Sequence, residues 1–293
     1  MNTSPVLGST WQKQRVWSTA ADRLKRDITW ARAIALGLLI AGAILQTAAS
    51  QVPNESVKTA LHVVGVLVLA AAPVIQHFKL GTERLRAWIR ARSVSEGLKA
   101  ETYLYLMGVP PYAADGRDAR LLEKMQSILD KAKDLAAHTA LVEPLPSAPP
   151  QITDIEMYIE QRINQQITDY YRLQARKMAQ RVKIFRELEL YFSLAAALLG
   201  ALAATKLVPS ADAWVAVVTT ISTAVTAHFA ASRYEHLVIS YDSTAHRLEF
   251  LRDQWYANPA AHDAETFVRQ CEDAISVENE AWMAEWSRKE TDA

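Results

Sequence analysis

Charged residues are missing from four stretches of this chain and crowd the rest of it. None occurs between Arg32 and Glu55, a window of 22 residues, or between Lys58 and Lys79, a window of 20. A second pair follows, with 16 residues between Glu189 and Lys206 and 20 between Asp212 and Arg233. A helix rises about 1.5 Å per residue, so about 20 residues cross a hydrocarbon layer about 30 Å thick. Three windows meet that length, and the third reaches it if Lys206 snorkels while Leu207 and Val208 extend it. A buried helix of a soluble bundle normally keeps a polar face. Ala33 to Ala49 carries only Gln46 and Thr47 and is apolar all round before them. The pattern predicts an all-α integral membrane protein with four transmembrane helices at about 33–52, 60–78, 190–208 and 213–232, arranged as two hairpins.

The polar remainder predicts long amphipathic helices. Ile152, Ile155, Ile159, Ile163, Ile167 and Tyr170 step by three or four, a coiled-coil-like stripe that can continue through Leu173, Met178 and Val182 into the third span. Phe267, Cys271, Ile275, Glu278, Trp282 and Trp286 share another face. Both stripes read as packing seams, which makes Cys271 a buried, reduced thiol.

Charge fixes an orientation. Sixteen basic residues flank the outer ends of the two hairpins, among them Arg26, Arg32, Arg84, Arg181 and Arg186, against Lys58 and Lys206 at the tips. The positive-inside rule then places both termini and the middle segment in the cytoplasm. Trp30, Phe78, Tyr191, Trp214 and Phe229 fall at the expected interfaces. The first window starts too far in, and follows too charged a helix, to read as a signal peptide.

The two hairpins also repeat one another. Gln76-His77-Phe78 and Ala227-His228-Phe229 close equivalent spans, and Ser93 to Leu98 lines up with Ser243 to Leu248. Pro111-Tyr112-Ala113-Ala114-Asp115 and Pro259-Ala260-Ala261-His262-Asp263 come next, in the same order. The chain therefore reads as a first two-span unit at 1–139, a proline-rich linker at 140–151 and a second unit at 152–293. Two spans per unit give both copies the same orientation, so they are parallel repeats.

Composition narrows the function. The 293 residues hold 32 basic and 32 acidic side chains, so net charge gives no reason to expect a nucleic-acid partner. The single cysteine excludes an intramolecular disulfide framework and offers no metal-site spacing. Walker A, G-x-G-x-x-G, H-E-x-x-H and G-x-S-x-G motifs are all missing, so no catalysis, cofactor or metal is expected. Asp, Glu, Lys and Arg are absent from all four windows, which argues against a proton pump or a voltage sensor.

Span four carries Thr219, Ser222, Thr223 and Thr226 at helical spacing, with Thr220 to one side. Hydroxyls on one face can line a wet path. They can equally bond back to their own helix or across to a neighbour. His77 and His228, at the cytoplasmic mouths of equivalent spans, read either as a titratable ring or as interfacial side chains. Ala33, Gly37 and Ala41 in span one, and Ala196, Gly200 and Ala204 in span three, suit close helix contact. Pro73 predicts a kink in span two.

The helix after span two runs from Trp88 through Arg92, Ser95, Glu96 and Lys99 to Tyr103 and Tyr105, and the chain's end carries Glu278 and Trp282. With the paired two-span units, these positions resemble the SLATT family, bacterial two-transmembrane domains associated with SMODS nucleotidyltransferases and SLOG proteins. Arg247-Leu248-Glu249 replaces Gly97-Leu98-Lys99 in the second unit, which places any role for those charges in the first copy. The resemblance implies a membrane effector of a bacterial, nucleotide-signalled defence system in the inner membrane. Such an effector would conduct ions or disrupt the bilayer as a homo-oligomer, released by a cytoplasmic signalling partner or a nucleotide. The rival expectation is a non-conducting scaffold that recruits a cytoplasmic partner.

Overall fold

The computed structural model describes residues 4–143, 147–206, 210–259 and 263–288, with side chains through 276. Among the described residues there is no strand. The main helices are α1 (Pro5–Gln51), α2 (Glu55–Lys79), α3 (Thr82–Leu106), α4 (Arg117–Asp130), α5 (Ile155–Thr205), α6 (Ala211–Ser232), α7 (Tyr234–Ala257) and α8 (Ala264–Arg288). Four helical stretches, beginning at Pro5, Glu55, Ile155 and Ala211, are long and apolar enough to cross a membrane. The sequence α1 to α4 is repeated by α5 to α8, and each set opens with a long helix whose far end is an apolar window.

Local chemistry starts these helices. Asn54 Oδ1 accepts from the backbone N–H of Ser56 and Val57 at 3.0 and 3.2 Å and so caps α2. Asp154 and Asp263 cap α5 and α8 through the N–H groups of Met157 and Thr266. Gly116 opens α4 at φ +79°, a left-handed conformation that a side chain would strain. Arg233 takes the same region at φ 50° between α6 and α7, which ends span four on a bend.

Packing divides the chain by polarity. One compact unit gathers 1–25, 85–175 and 239–293, and the other gathers 26–84 and 176–238. Each takes pieces of both sequence copies: the first holds the polar helices, the second the four apolar windows. In the polar unit, Trp17, Ala21 and Leu24 of α1 pack with Ala91, Val94 and Leu98 of α3 and Met125 of α4. A second cluster joins Leu7, Tyr105, Tyr112 and Leu121.

The isoleucine stripe holds one face by an unexpected route. Ile159, Ile163, Ile167, Tyr171 and Ala175 are all buried, at steps of four. Each step of four overshoots an α turn by about 40°, so an ordinary helix would carry the row more than a third of the way round. Ile159–Asn164 and Gln166–Arg172 are instead wound as wider π turns, which offset that drift. The expected coiled-coil-like geometry is thus replaced here by π winding.

In the apolar unit, Gly42 of α1 admits Leu69 of α2 so closely that a Cβ there would stand 2.5 Å from Leu69 Cγ. One turn on, Gln46 Nε2 donates to the His62 carbonyl at 3.1 Å, and Gln46 Oε1 lies 2.7 Å from His62 Nδ1. Gly65 makes room for that amide. The close approach therefore uses Gly42 and Gly65 rather than Ala33, Gly37 and Ala41, because Gly37 faces open space. Gly200 also has nothing near it. Pro73 lies inside α2 without ending it. Val66, Leu67, Leu194 and Leu198 are exposed on the windows, and none of the apolar window of α5 is buried within the chain.

Candidate functional site

The first-copy motif residues converge on a buried pair of charges from the second copy. α5 supplies Arg162, set within the isoleucine stripe, and α8 supplies Glu272, set between Val268 and Ile275; both charged side chains are almost wholly buried. Arg162 Nε donates to Glu272 Oε1 at 2.9 Å and Nη2 to Oε2 at 2.7 Å. The Tyr158 hydroxyl donates to the same Oε1 at 3.0 Å. The Arg162 guanidinium also lies 4.6 Å from the centre of the Tyr103 ring of α3.

Charge and burial oppose one another in this cluster. Burial works against the Arg162 charge, but the facing Glu272 carboxylate outweighs it and raises the pKa. Burial and then Glu272 push the Tyr158 hydroxyl well up, so it stays a donor. The same two causes raise the Cys271 thiol, which leaves it buried and protonated, an unreactive state for a thiol.

Glu96 and Lys99 stand one turn apart on α3 within the field of this pair. Burial alone would raise the Glu96 pKa, but Lys99, Arg92 and Arg162 together lower it. Burial lowers Lys99, and Arg162 adds to the effect. Among the described residues Glu96 Oε2 is buried without a hydrogen-bond partner, and Lys99 makes no hydrogen bond or ion pair. Arg92 lies 5.5 Å from the Tyr170 ring, Ser95 accepts from Gln14 Nε2 at 3.1 Å, and Trp88 packs half-buried on the α3 core. The side chains of Glu278 and Trp282 lie outside the described residues, although both positions fall on α8.

The second copy uses the equivalent position differently. Glu249 of α7 stands where Lys99 stands in the first copy, and it accepts from Arg172 Nε and Nη2 at 3.1 and 2.7 Å. Arg172 also binds Asp242. The second copy thus closes Glu249 into a network of charges, whereas Lys99 in the first copy makes no ion pair among the described residues. Sequence reasoning found Arg92, Ser95, Glu96 and Lys99 but missed Arg162 and Glu272. Their signal was a charge interrupting each apolar stripe.

On α6, Thr219, Thr223 and Thr226 are exposed and Ser222 is half-buried. Thr219 donates to the Val215 carbonyl at 2.9 Å and Thr223 to the Thr219 carbonyl at 3.0 Å. Thr226 instead reaches Glu189 Oε1 of α5 at 2.9 Å. His228 stacks on Phe185, ring centres 5.6 Å apart, and lines a crevice with Arg32 and Gln76. His77 is exposed and does not line that crevice, so the two histidines do not share a site within one chain. Among the described residues no group of three or more His, Cys, Asp or Glu side chains is placed to hold a metal ion.

An all-helical chain with four apolar helices and a charged polar unit defines a multi-pass membrane protein. Residues 158–282 match the family described as SMODS and SLOG-associating 2TM effector domain 1. Residues 15–118 match a family described as a protein of unknown function, DUF4231. Each match contains one pair of apolar windows. Residues 158–282 are therefore similar to a two-transmembrane effector domain, and another pair of apolar windows precedes them. Comparison with curated proteins and with solved structures finds no match.

Proposed function

We propose that this protein is an effector that assembles in the bacterial inner membrane as a homo-oligomer and opens an ion path, or disrupts the bilayer, in response to a cytoplasmic signal. In this reading the windows form two hairpins, both termini lie in the cytoplasm, and the polar unit receives the signal from a partner or a nucleotide. The chain performs no chemical reaction and needs no cofactor.

The observation that carries the reading is the exposed hydroxyl row on α6. Thr219 and Thr223 give their protons to carbonyls of their own helix, which leaves oxygen lone pairs facing outward. A row of acceptors with no fixed charge suits a hydrated cation once several copies bring these faces together. The unburied window of α5 leaves apolar surface for lipid and for neighbouring copies. In the polar unit, Lys99 has no ion-pair partner among the described residues, and burial works against its charge, which an anionic signal would relieve.

The same back-bonded hydroxyls favour a second reading, a non-conducting scaffold whose α6 threonines serve only helix packing. Cysteine accessibility separates the two. In a Cys271→Ser background, Thr223→Cys and Leu198→Cys are each exposed to a membrane-impermeant, water-soluble thiol reagent. A conduit predicts rapid labelling at 223 and none at 198. Equal protection at both positions supports the scaffold.

A further inference from the structure

The apolar unit contains a crevice of about 460 Å³ bounded by three helices. α1 lends Arg32, Leu36 and Leu39, α2 lends Gln76, and α6 lends Ala224 and His228. The space exists because α6 turns an alanine face toward it, with small side chains at 224, 227 and 231 where larger ones would fill it. Its chemistry is graded. Arg32 is the last charge before the first apolar window, and His228 closes the equivalent end of span four. Leu39 lies seven residues beyond Arg32, about 10 Å deeper along the helix. Among the described residues no acidic side chain lines the crevice.

We infer that this crevice holds an anionic phospholipid, with its phosphate at Arg32 and His228 and part of an acyl chain along Leu36, Leu39 and Ala224. Arg32 brings a positive charge to the mouth and His228 a ring N–H donor, and both suit a phosphate. Basic pockets between spans at the cytoplasmic face are suited to such headgroups. Free phosphate would satisfy only the mouth and leave the apolar depth without an occupant. The assignment rests on the membrane placement of the four windows but not on conduction.

Native mass spectrometry of the full chain, released from micelles doped with phosphatidylglycerol or phosphatidylcholine, tests it. The wild type should retain one phosphatidylglycerol per chain, in about tenfold preference over phosphatidylcholine. Arg32→Gln should lose that preference while keeping the oligomer size of the wild type. Leu39→Trp, which leaves every charge in place and fills the depth, should lose retention of both lipids. Glycerol phosphate in excess should displace nothing. Equal retention of the two lipids, an unchanged preference in Arg32→Gln, or displacement by glycerol phosphate would overturn the assignment. So would disulfide-linked dimers of Ala227→Cys in place of a bound lipid, because they would make the crevice a contact between copies. Lipid retention is read without ion flux, so a silent conduit and an empty crevice are distinguishable failures.

Discussion

Arg162 and Glu272 form a two-pronged ion pair, 2.9 and 2.7 Å, with both side chains almost wholly removed from solvent. The pair joins the start of α5 to α8, while Tyr103 of α3 covers the guanidinium. Removing one partner leaves the other charge buried and alone, at a cost of about 3–5 kcal/mol. Glu272→Leu is therefore expected to lower the unfolding transition of the polar unit sharply. The double variant Arg162→Met/Glu272→Leu should recover most of the loss. Circular dichroism melts of the two variants check this, and a double variant no better than the single one would show that the pair is not an isolated unit.

Acid and base act on Glu96 and Lys99 in opposite ways. The folded pKa of Glu96 is held below its ordinary 4.5, so its contribution is complete above that pH and is lost as the pH falls through the folded value. The folded pKa of Lys99 is held below its ordinary 10.5, so stability rises with pH between the folded value and 10.5. Glu96→Gln should flatten the acid limb of a melting-temperature profile, and Lys99→Met should raise the neutral plateau and flatten the alkaline limb. Unchanged profiles in both variants would remove these groups from the cluster's energetics.

Close approach of α1 and α2 depends on Gly42. A β-branched side chain there meets Leu69 at once, so Gly42→Val should cost about 1–3 kcal/mol, whereas Gly37→Val, facing open space, should cost little. Loss of the thermal transition in detergent at equal expression distinguishes the two. Equal effects would mean that Gly37 also meets a neighbour in the assembled protein.

Much of this architecture was legible in the sequence because the physics that sets it is local. The four windows needed only a count of uncharged residues; α2 and α6 begin and end within a few positions of the expected spans, whereas α1 and α5 start far ahead of theirs as continuous helices. Asn54, Asp154 and Asp263 cap helices through their own neighbours. The long-range contacts were not legible. Nothing near Arg162 in the chain announces Glu272, 110 residues away. Gly37 and Gly42 sit in equally apolar surroundings, and only the position of Leu69 decides which one packs. The π winding of α5 follows from a row of steps by four that an α-helix cannot keep on one face, a signal visible in retrospect at Ile159, Ile163 and Ile167. At the candidate site the motif marked Glu96 and Lys99, but their unequal partnership appears only when Glu249 is seen bound to Arg172.

Conduction along α6 is read as cation flux from liposomes holding the purified full chain, compared with the double variant Thr219→Leu/Thr223→Leu at matched oligomer size. A conduit lined by α6 gives flux in the wild type that falls at least tenfold in the variant. Flux unchanged by the substitutions, or a stable wild-type oligomer that leaves the liposomes sealed and has no axis wide enough for water, would contradict it.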